Sequence, residues 1–254
     1  GSGSSYSSWF VPGSTDANGV LFDFHNGTYS TMSYEMRINN TTAHLTQDVT
    51  VNPVFNFQTN LLTLRMERCD GTPLDDGNPR YGNGSTYSTW WFPGGVTGSS
   101  AAGETAAEIF PGTYSFQMQY KGTADAKVSV AIPAADTTLT WQTTNVALQY
   151  SGSISYGGST GDSTWFSKPT MELLPGTYTF HFHGVGRMEL ALSGCDFSRS
   201  IVQLKFLDSN GAGLAGGDFK YRVDWGSYTD IGTTDSSGII LCALDVAESS
   251  IKFH

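Results

Sequence analysis

The sequence predicts an all-β protein built from tandem β-sandwich repeats, the first and last of them incomplete. Three observations carry this. The composition is rich in turn formers and aromatics, with 30 glycines and 13% Phe, Trp and Tyr over 254 residues, a mixture that suits short strands joined by tight turns. One phrase is written three times: HNGTYSTMSYEM at 25–36, EIFPGTYSFQM at 108–118 and ELLPGTYTFHF at 172–182. Within each copy apolar and polar residues alternate, the period of a half-buried strand, and no amphipathic helix of useful length interrupts the pattern.

The elements follow in chain order, and repeats of this kind are recognised before a fold is argued. Residues 1–60 read as a partial sandwich without its opening strands. GSGSSYSSW at 1–9 lies without a gap over GNGSTYSTW at 82–90, so the missing strands correspond to residues 62–81 of the next unit. TDANG at 15–19 is a turn in which Asp16 bonds forward and Gly19 takes positive φ. In SYEMRI, Tyr34, Met36 and Ile38 alternate with Glu35 and Arg37.

Residues 61–143 form a full unit. NFQTNLLTL at 56–64, running across its first residues, is answered by TWQTTNVAL at 140–148, and its YSTWWFPG at 87–94 repeats YSSWFVPG at 6–13. The Ala-rich run 100–109 is expected to be an inserted loop with room for one helical turn. Residues 144–200 form a shorter unit carrying DSTWF at 162–166. Residues 201–254 carry opening strands and the turn TDSSG at 234–238, then stop at SIKFH, where closing strands would begin. Gly27, Gly112 and Gly176 lie 85 and 64 residues apart, so the units are similar but unequal. Two readings account for the ragged ends: a segment of a longer repeat protein, or a subunit whose ends complete each other. With no initiator Met and no signal peptide, the chain reads as processed, excised or partial.

LDSNGAGLAGG at 207–217, GTTDSSG at 232–238 and LLPGTYTF at 173–180 resemble the successive phrases of collagen-adhesin B-type and carboxypeptidase-regulatory-like domains of bacterial surface proteins. The resemblance implies Ig-like or prealbumin-like sandwiches of about seven strands. Some relatives form Lys–Asn crosslinks beside an acidic residue. Lys205 and Glu172 match the lysine and the acid, no asparagine matches, and Glu67 stands at the corresponding place in the second unit, so the crosslink is not carried over.

Charge narrows the function. A net charge of −10 and a pI near 4.7 repel phosphate backbones and anionic lipid, so neither nucleic-acid binding nor membrane insertion is expected. No stretch approaches the ~20 apolar residues of a membrane helix. Four sequons, at Asn26, Asn39, Asn40 and Asn83, are candidate N-glycosylation sites of an exported glycoprotein. Of the three cysteines, Cys195 and Cys242 bracket one unit and are the expected disulfide, leaving Cys69 unpaired or paired elsewhere.

Candidate sites are weighed against scaffold roles. His181 and His183 share a strand face, but Gln117 and Gln119 replace them in the second unit and Glu35 and Arg37 in the first, so they read as solvent-facing and no metal is expected. Trp9, Trp90, Trp91, Trp165 and Trp225 recur at related positions, either as inter-unit plugs or as platforms for sugar rings. The Asp-rich DGTPLDDG at 70–77 lacks the spacing of a calcium loop. GGSTG at 157–161 matches a nucleophile elbow in letters only, because no strand-to-helix turn surrounds it. Neither an enzyme nor a cofactor is expected. The sequence therefore reads as a secreted or cell-surface structural repeat protein, a stalk or head-to-tail filament joined to copies of itself by β-strand complementation. A carbohydrate-binding or adhesive module using the tryptophans is the alternative.

Overall fold

The computed structural model describes residues 13–23, 30–84, 90–157, 163–166, 170–223, 226–245 and 251–254, and every regular element among them is a strand. In chain order these are β1 Thr31–Ile38, β2 Thr41–Asp48, β3 Asn60–Glu67, β4 Asn78–Asn83, β5 Trp90–Trp91, β6 Glu104–Ile109, β7 Gly112–Tyr120, β8 Thr123–Ile132, β9 Thr137–Gln142 and β10 Thr144–Gln149. They continue with β11 Ile154–Gly157, β12 Ser163–Phe166, β13 Thr170–Leu173, β14 Gly176–Phe182, β15 Gly186–Leu192, β16 Asp196–Lys205, β17 Asp218–Val223, β18 Thr229–Thr233, β19 Ile239–Asp245 and β20 Ile251–Phe253.

One ladder scheme recurs. In β3–β9, one sheet has the order β6-β3-β9 and the other β5-β4-β7-β8. From β10 the same order returns as β13-β10-β16 and β12-β11-β14-β15. Each set closes by a parallel pairing of its first and last strands, β3 with β9 and β10 with β16. The chain passes from one sandwich to the next almost without a break, since only Thr143 separates β9 from β10. β16 serves both sides: residues 196–200 pair with β10, and residues 199–205 pair with β19.

Alternation explains the cores. Leu62, Leu64 and Met66 of β3 are fully buried while Leu61 is exposed, and they meet Ile109, Tyr81, Phe116, Met118 and Trp141 in one cluster between the two sheets. The second cluster gathers Val146, Leu148, Tyr156, Tyr178, Phe180 and Phe182. Burying a side chain of this size contributes roughly 1.5–3 kcal/mol, so each sandwich holds its own core.

Both Asp-x-x-Gly turns form through local bonds. Asp16 Oδ1 accepts the amides of Asn18 and Val20, and Asp235 Oδ1 accepts those of Ser237 and Ile239. Gly19 and Gly238 close them at φ 74° and 71°, a region that a Cβ disfavours. The Ala-rich run departs from expectation: residues 104–109 are strand β6, not a loop. Small side chains let it lie flat, with Thr105, Ala107 and Ile109 turned inward. Alanine's weak strand preference is overridden by pairing along β3.

β1 and β2 form a two-stranded sheet whose hairpin abuts the first full sandwich. In the recurring scheme β1 stands where β7 and β14 stand. Those two strands are flanked on both edges, by β4 and β8 and by β11 and β15, whereas β1 pairs with β2 alone among the described residues.

Candidate functional site: the joint between sandwiches

The residues that repeat most faithfully meet at the boundaries. A hairpin from one sandwich enters a socket in the next, and the bonds are the same at two successive boundaries. At the first, Asn39 and Asn40 turn the β1–β2 hairpin at φ 47° and 56°, and Thr41 follows, fully buried. The Thr41 hydroxyl donates to the Ile38 carbonyl (2.8 Å) and accepts the Phe110 amide (3.2 Å). At the second, Lys121 and Gly122 make the turn at φ 46° and 74°. The Thr123 hydroxyl donates to the Tyr120 carbonyl (2.6 Å) and accepts the Leu174 amide (3.1 Å). A tyrosine from the receiving sandwich seals each turn: Tyr81 donates to the Asn39 carbonyl, and Tyr156 to the Lys121 carbonyl.

This geometry explains the repeated Pro-Gly-Thr-Tyr phrase. Proline holds the preceding residue extended, which presents the Phe110 or Leu174 amide to the incoming threonine. The tyrosine then folds back, Tyr114 donating to the Phe110 carbonyl at 2.8 Å and Tyr178 to the Leu174 carbonyl at 3.0 Å. A Cβ on Gly112 or Gly176 would lie 3.1 or 3.0 Å from that phenol oxygen, so a larger residue would push the ring by a few tenths of an ångström, and Gly176 also sits at φ 149°. Burial raises the pKa of Tyr81, Tyr114 and Tyr178 above the ordinary phenol value. Leu174 itself packs into the preceding sandwich's cluster.

The second joint carries further braces. Cys69, after β3, is disulfide-bonded to Cys195, before β16, with Cα atoms 5.2 Å apart. This corrects the expected Cys195–Cys242 bridge. Cys195 sits in a turn at the boundary and faces the preceding sandwich, while Cys242 lies mid-strand opposite Val202, buried in its own unit. Beside the disulfide, Glu172 accepts the Thr143 hydroxyl (2.5 Å) and pairs with Arg68 (3.3 Å). The boundary after the second sandwich differs. Its hairpin, His183-Gly184-Val185-Gly186, has no threonine, and the contact is apolar, with Ile201, Leu241 and Ala243 packed against the second core.

The tryptophans do not form one array among the described residues. The Trp91 side chain is 50% exposed, with the Arg80 guanidinium 4.2 Å above its ring. Trp9 and Trp225 lie outside the described residues, as do the side chains of Trp90 and Trp165. The tryptophan that fills a core is Trp141, 1% exposed. Its signal was present in the repeated TWQTTNVAL phrase, where an inward strand position carries it.

Asn39 is committed to the joint, its amide donating to the Glu108 carbonyl at 2.8 Å, while Asn40 and Asn83 are exposed and Asn26 lies outside the described residues. The rings of His181 and His183 stand 4.3 Å apart, and His183 Nε2 meets Ser155 Oγ at 3.1 Å. Desolvation, with the charges of His183 and Arg187, holds the His181 pKa below the ordinary histidine value. No group of three or more His, Cys, Asp or Glu is placed to hold a metal among the described residues. Carboxylates of the Asp-rich loop are used locally: Asp70 accepts the Thr72 amide and Asp75 the Gly103 amide. GGSTG falls mostly outside the described residues.

Beside β1 lies an apolar groove of about 510 Å³, lined by Val20, Met32, Tyr34, Met36, Val54 and Phe55 among others.

No protein-family model and no curated protein matches the sequence. Among solved structures, the chain is similar to the Bacillus anthracis TIE protein, at 11% identity and TM-score 0.24, over 80% of this chain and 45% of that one. It is also similar to BcpA, the major pilin subunit of Bacillus cereus, at 11% identity and TM-score 0.26, over 73% and 85%. The pilus adhesin SpaC of Lactobacillus rhamnosus GG gives 9% identity and TM-score 0.26, over 87% and 40%. The chain thus spans less than half the length of TIE and SpaC. Scores of this size leave the fold resting on the ladders described above.

Proposed function

We propose that this chain is an extracellular structural repeat protein, a building block of a surface stalk or head-to-tail filament held by β-strand complementation. The observation that carries the reading is the edge of β1. β7 and β14 have partners on both sides, β1 has β2 only among the described residues, and an apolar groove lies beside it. Strands on the rim of a sheet, next to apolar surface, are where another chain adds a strand. Supporting it, the chemistry of the conserved-in-phrase residues is spent on packing one sandwich against the next, and the disulfide suits an oxidising compartment. The role is non-catalytic and uses no cofactor. Light scattering on fractions from size-exclusion chromatography, with negative-stain microscopy, tests this over a range of concentrations. End-to-end oligomers are expected, and a monomer at every concentration overturns the reading.

One observation favours a second reading, adhesion to polysaccharide: the half-exposed ring of Trp91. Arg80 already covers part of that ring, so a sugar would stack on what remains. Loss of polysaccharide retention on Trp91→Ala would support it.

A further inference from the structure

We infer that the outer face of the sheet β5-β4-β7-β8 binds an acidic polysaccharide, a uronic acid ring stacking on Trp91 while its carboxylate meets Arg80. This rests on the adhesive reading and adds the class of sugar and the groups that hold it. The ladders set one row across that face: Trp91 opposite Arg80, Arg80 opposite Gln117, and Gln117 opposite Ala126. Tyr81 and Phe116, the next residues along β4 and β7, are buried in the core. By the two-residue period of a strand, Arg80 and Gln117 therefore face outward. Ala126 is exposed, so the row ends on a low floor beyond Gln117.

Charge selects the ligand. The chain is acidic overall, at −10, and Arg37, Arg65, Arg68 and Arg199 each reach a carboxylate. Arg80 reaches none among the described residues. Its guanidinium lies 4.2 Å from the centre of the Trp91 ring, a contact that holds a cation in place without neutralising it. A planar guanidinium held this way offers paired donors to a carboxylate. Half of Trp91 is left exposed, and an exposed indole is a flat apolar surface for the C–H face of a pyranose. A uronic acid carries its carboxylate on C5, beside that face, so one sugar engages both groups. At physiological salt, fields between exposed charges decay over about 8 Å. The groups in contact then outweigh the chain's distant carboxylates.

Two amides complete the row. Gln117 is 9% exposed, and Gln119 Nε2 donates to its Oε1 at 3.0 Å. That bond orients the pair and leaves the Gln117 amide protons and the Gln119 carbonyl oxygen for sugar hydroxyls. The next sandwich repeats the row in altered form: Trp165 stands opposite Ser155, Ser155 opposite His181, and His181 opposite Arg187. Arg187, like Arg80, reaches no carboxylate among the described residues. Both complete sandwiches thus place a tryptophan and an arginine without a carboxylate partner in one row of the same sheet.

The test is affinity electrophoresis of the full chain in gels containing polygalacturonate, alginate or hyaluronan, each beside its carboxyl-reduced form. At least one acidic polymer should retard the protein, and its reduced form should do so at least tenfold more weakly. Arg80→Gln should weaken binding to the acidic polymer tenfold or more and leave the reduced form unaffected. Arg80→Lys, which keeps the charge and loses the planar fork, should fall between. Trp91→Ala should abolish retention by both forms. All three positions of change lie outside the core, so an unchanged melting curve by circular dichroism verifies the fold of each variant. Equal retention by acidic and reduced forms, or an Arg80→Gln variant that binds as the parent does, overturns the acidic-sugar assignment while the adhesive reading stands. If no polymer retards the protein, both fall, and the filament reading is untouched.

Discussion

Tyr156 donates its hydroxyl to the Lys121 carbonyl across the boundary between two sandwiches, as Tyr81 does to the Asn39 carbonyl one boundary earlier. Two bonds repeated at the same places in unequal units identify a joint, and the joint has a weak point. The threonine hydroxyl in each turn is the acceptor for a backbone amide buried on the far side.

Thr123→Val keeps the shape and removes that acceptor, leaving the Leu174 amide buried and unpaired. A cost of about 1–3 kcal/mol is expected. Thr123→Ser keeps the hydroxyl and should recover most of it. Tyr156→Phe, which loses one bond from a donor that is itself removed, should cost about 0.5–1.5 kcal/mol. Urea unfolding followed by intrinsic fluorescence measures all three, and a valine variant as stable as the parent would refute the joint's energetic role.

The disulfide at the second joint spans 126 residues of sequence. A loop of that size restricts the unfolded chain by about 4–5 kcal/mol on the chain-entropy account. The double variant Cys69→Ser, Cys195→Ser should therefore unfold at markedly lower urea, and reduction of the parent should reproduce the shift. Peptide mapping without reduction should join the peptides containing Cys69 and Cys195. A Cys195–Cys242 linkage would contradict the structure.

Much of this was legible in the sequence, for physical reasons. Strand period and Asp-x-x-Gly chemistry act over a few residues, so Tyr178, Phe180 and Phe182, or Asp235 and Gly238, declare themselves locally. The repeated Pro-Gly-Thr-Tyr phrase was visible but its purpose was not, because the partner threonine lies 69 positions away in one case and 51 in the other. The disulfide was misread for the same reason: Cys195 is nearer Cys242 in sequence, but the continuous strand through Thr143 brings it beside Cys69. Strand β6 was hidden by its alanines, whose preference says little once a neighbouring strand dictates the pairing.

The overlapping sequons at Asn39 and Asn40 separate by geometry. The Asn39 amide nitrogen is bonded to the Glu108 carbonyl in the next sandwich, whereas Asn40 is exposed at the same turn. Expressed in a glycosylating host, the protein should carry a glycan at Asn40 and none at Asn39, as read by mass spectrometry of glycopeptides. A glycan at Asn39 in folded protein would show that the joint opens or forms differently.

Alkaline pH should loosen the fold through its tyrosines. Desolvation, then the bond to Asp23 and its charge, pushes the Tyr34 pKa up to about 12 from an ordinary value of 10.0. Tyr81, Tyr114 and Tyr178 are raised too, chiefly by burial. A phenol whose folded pKa exceeds its unfolded one favours the folded state fully below pH 10, where both states hold the proton. Above pH 10 the unfolded chain ionises first, so that stability drains away as pH approaches 12. The thermal midpoint should be flat from pH 8 to about 9.5 and fall steeply beyond it. Absorbance near 295 nm should show a group of tyrosines that ionise only as the protein melts. Tyr178→Phe should remove part of the slope, because it takes one of those protons out of the balance. A midpoint unchanged up to pH 11.5 would mean that the joint phenols titrate as they do in the unfolded chain.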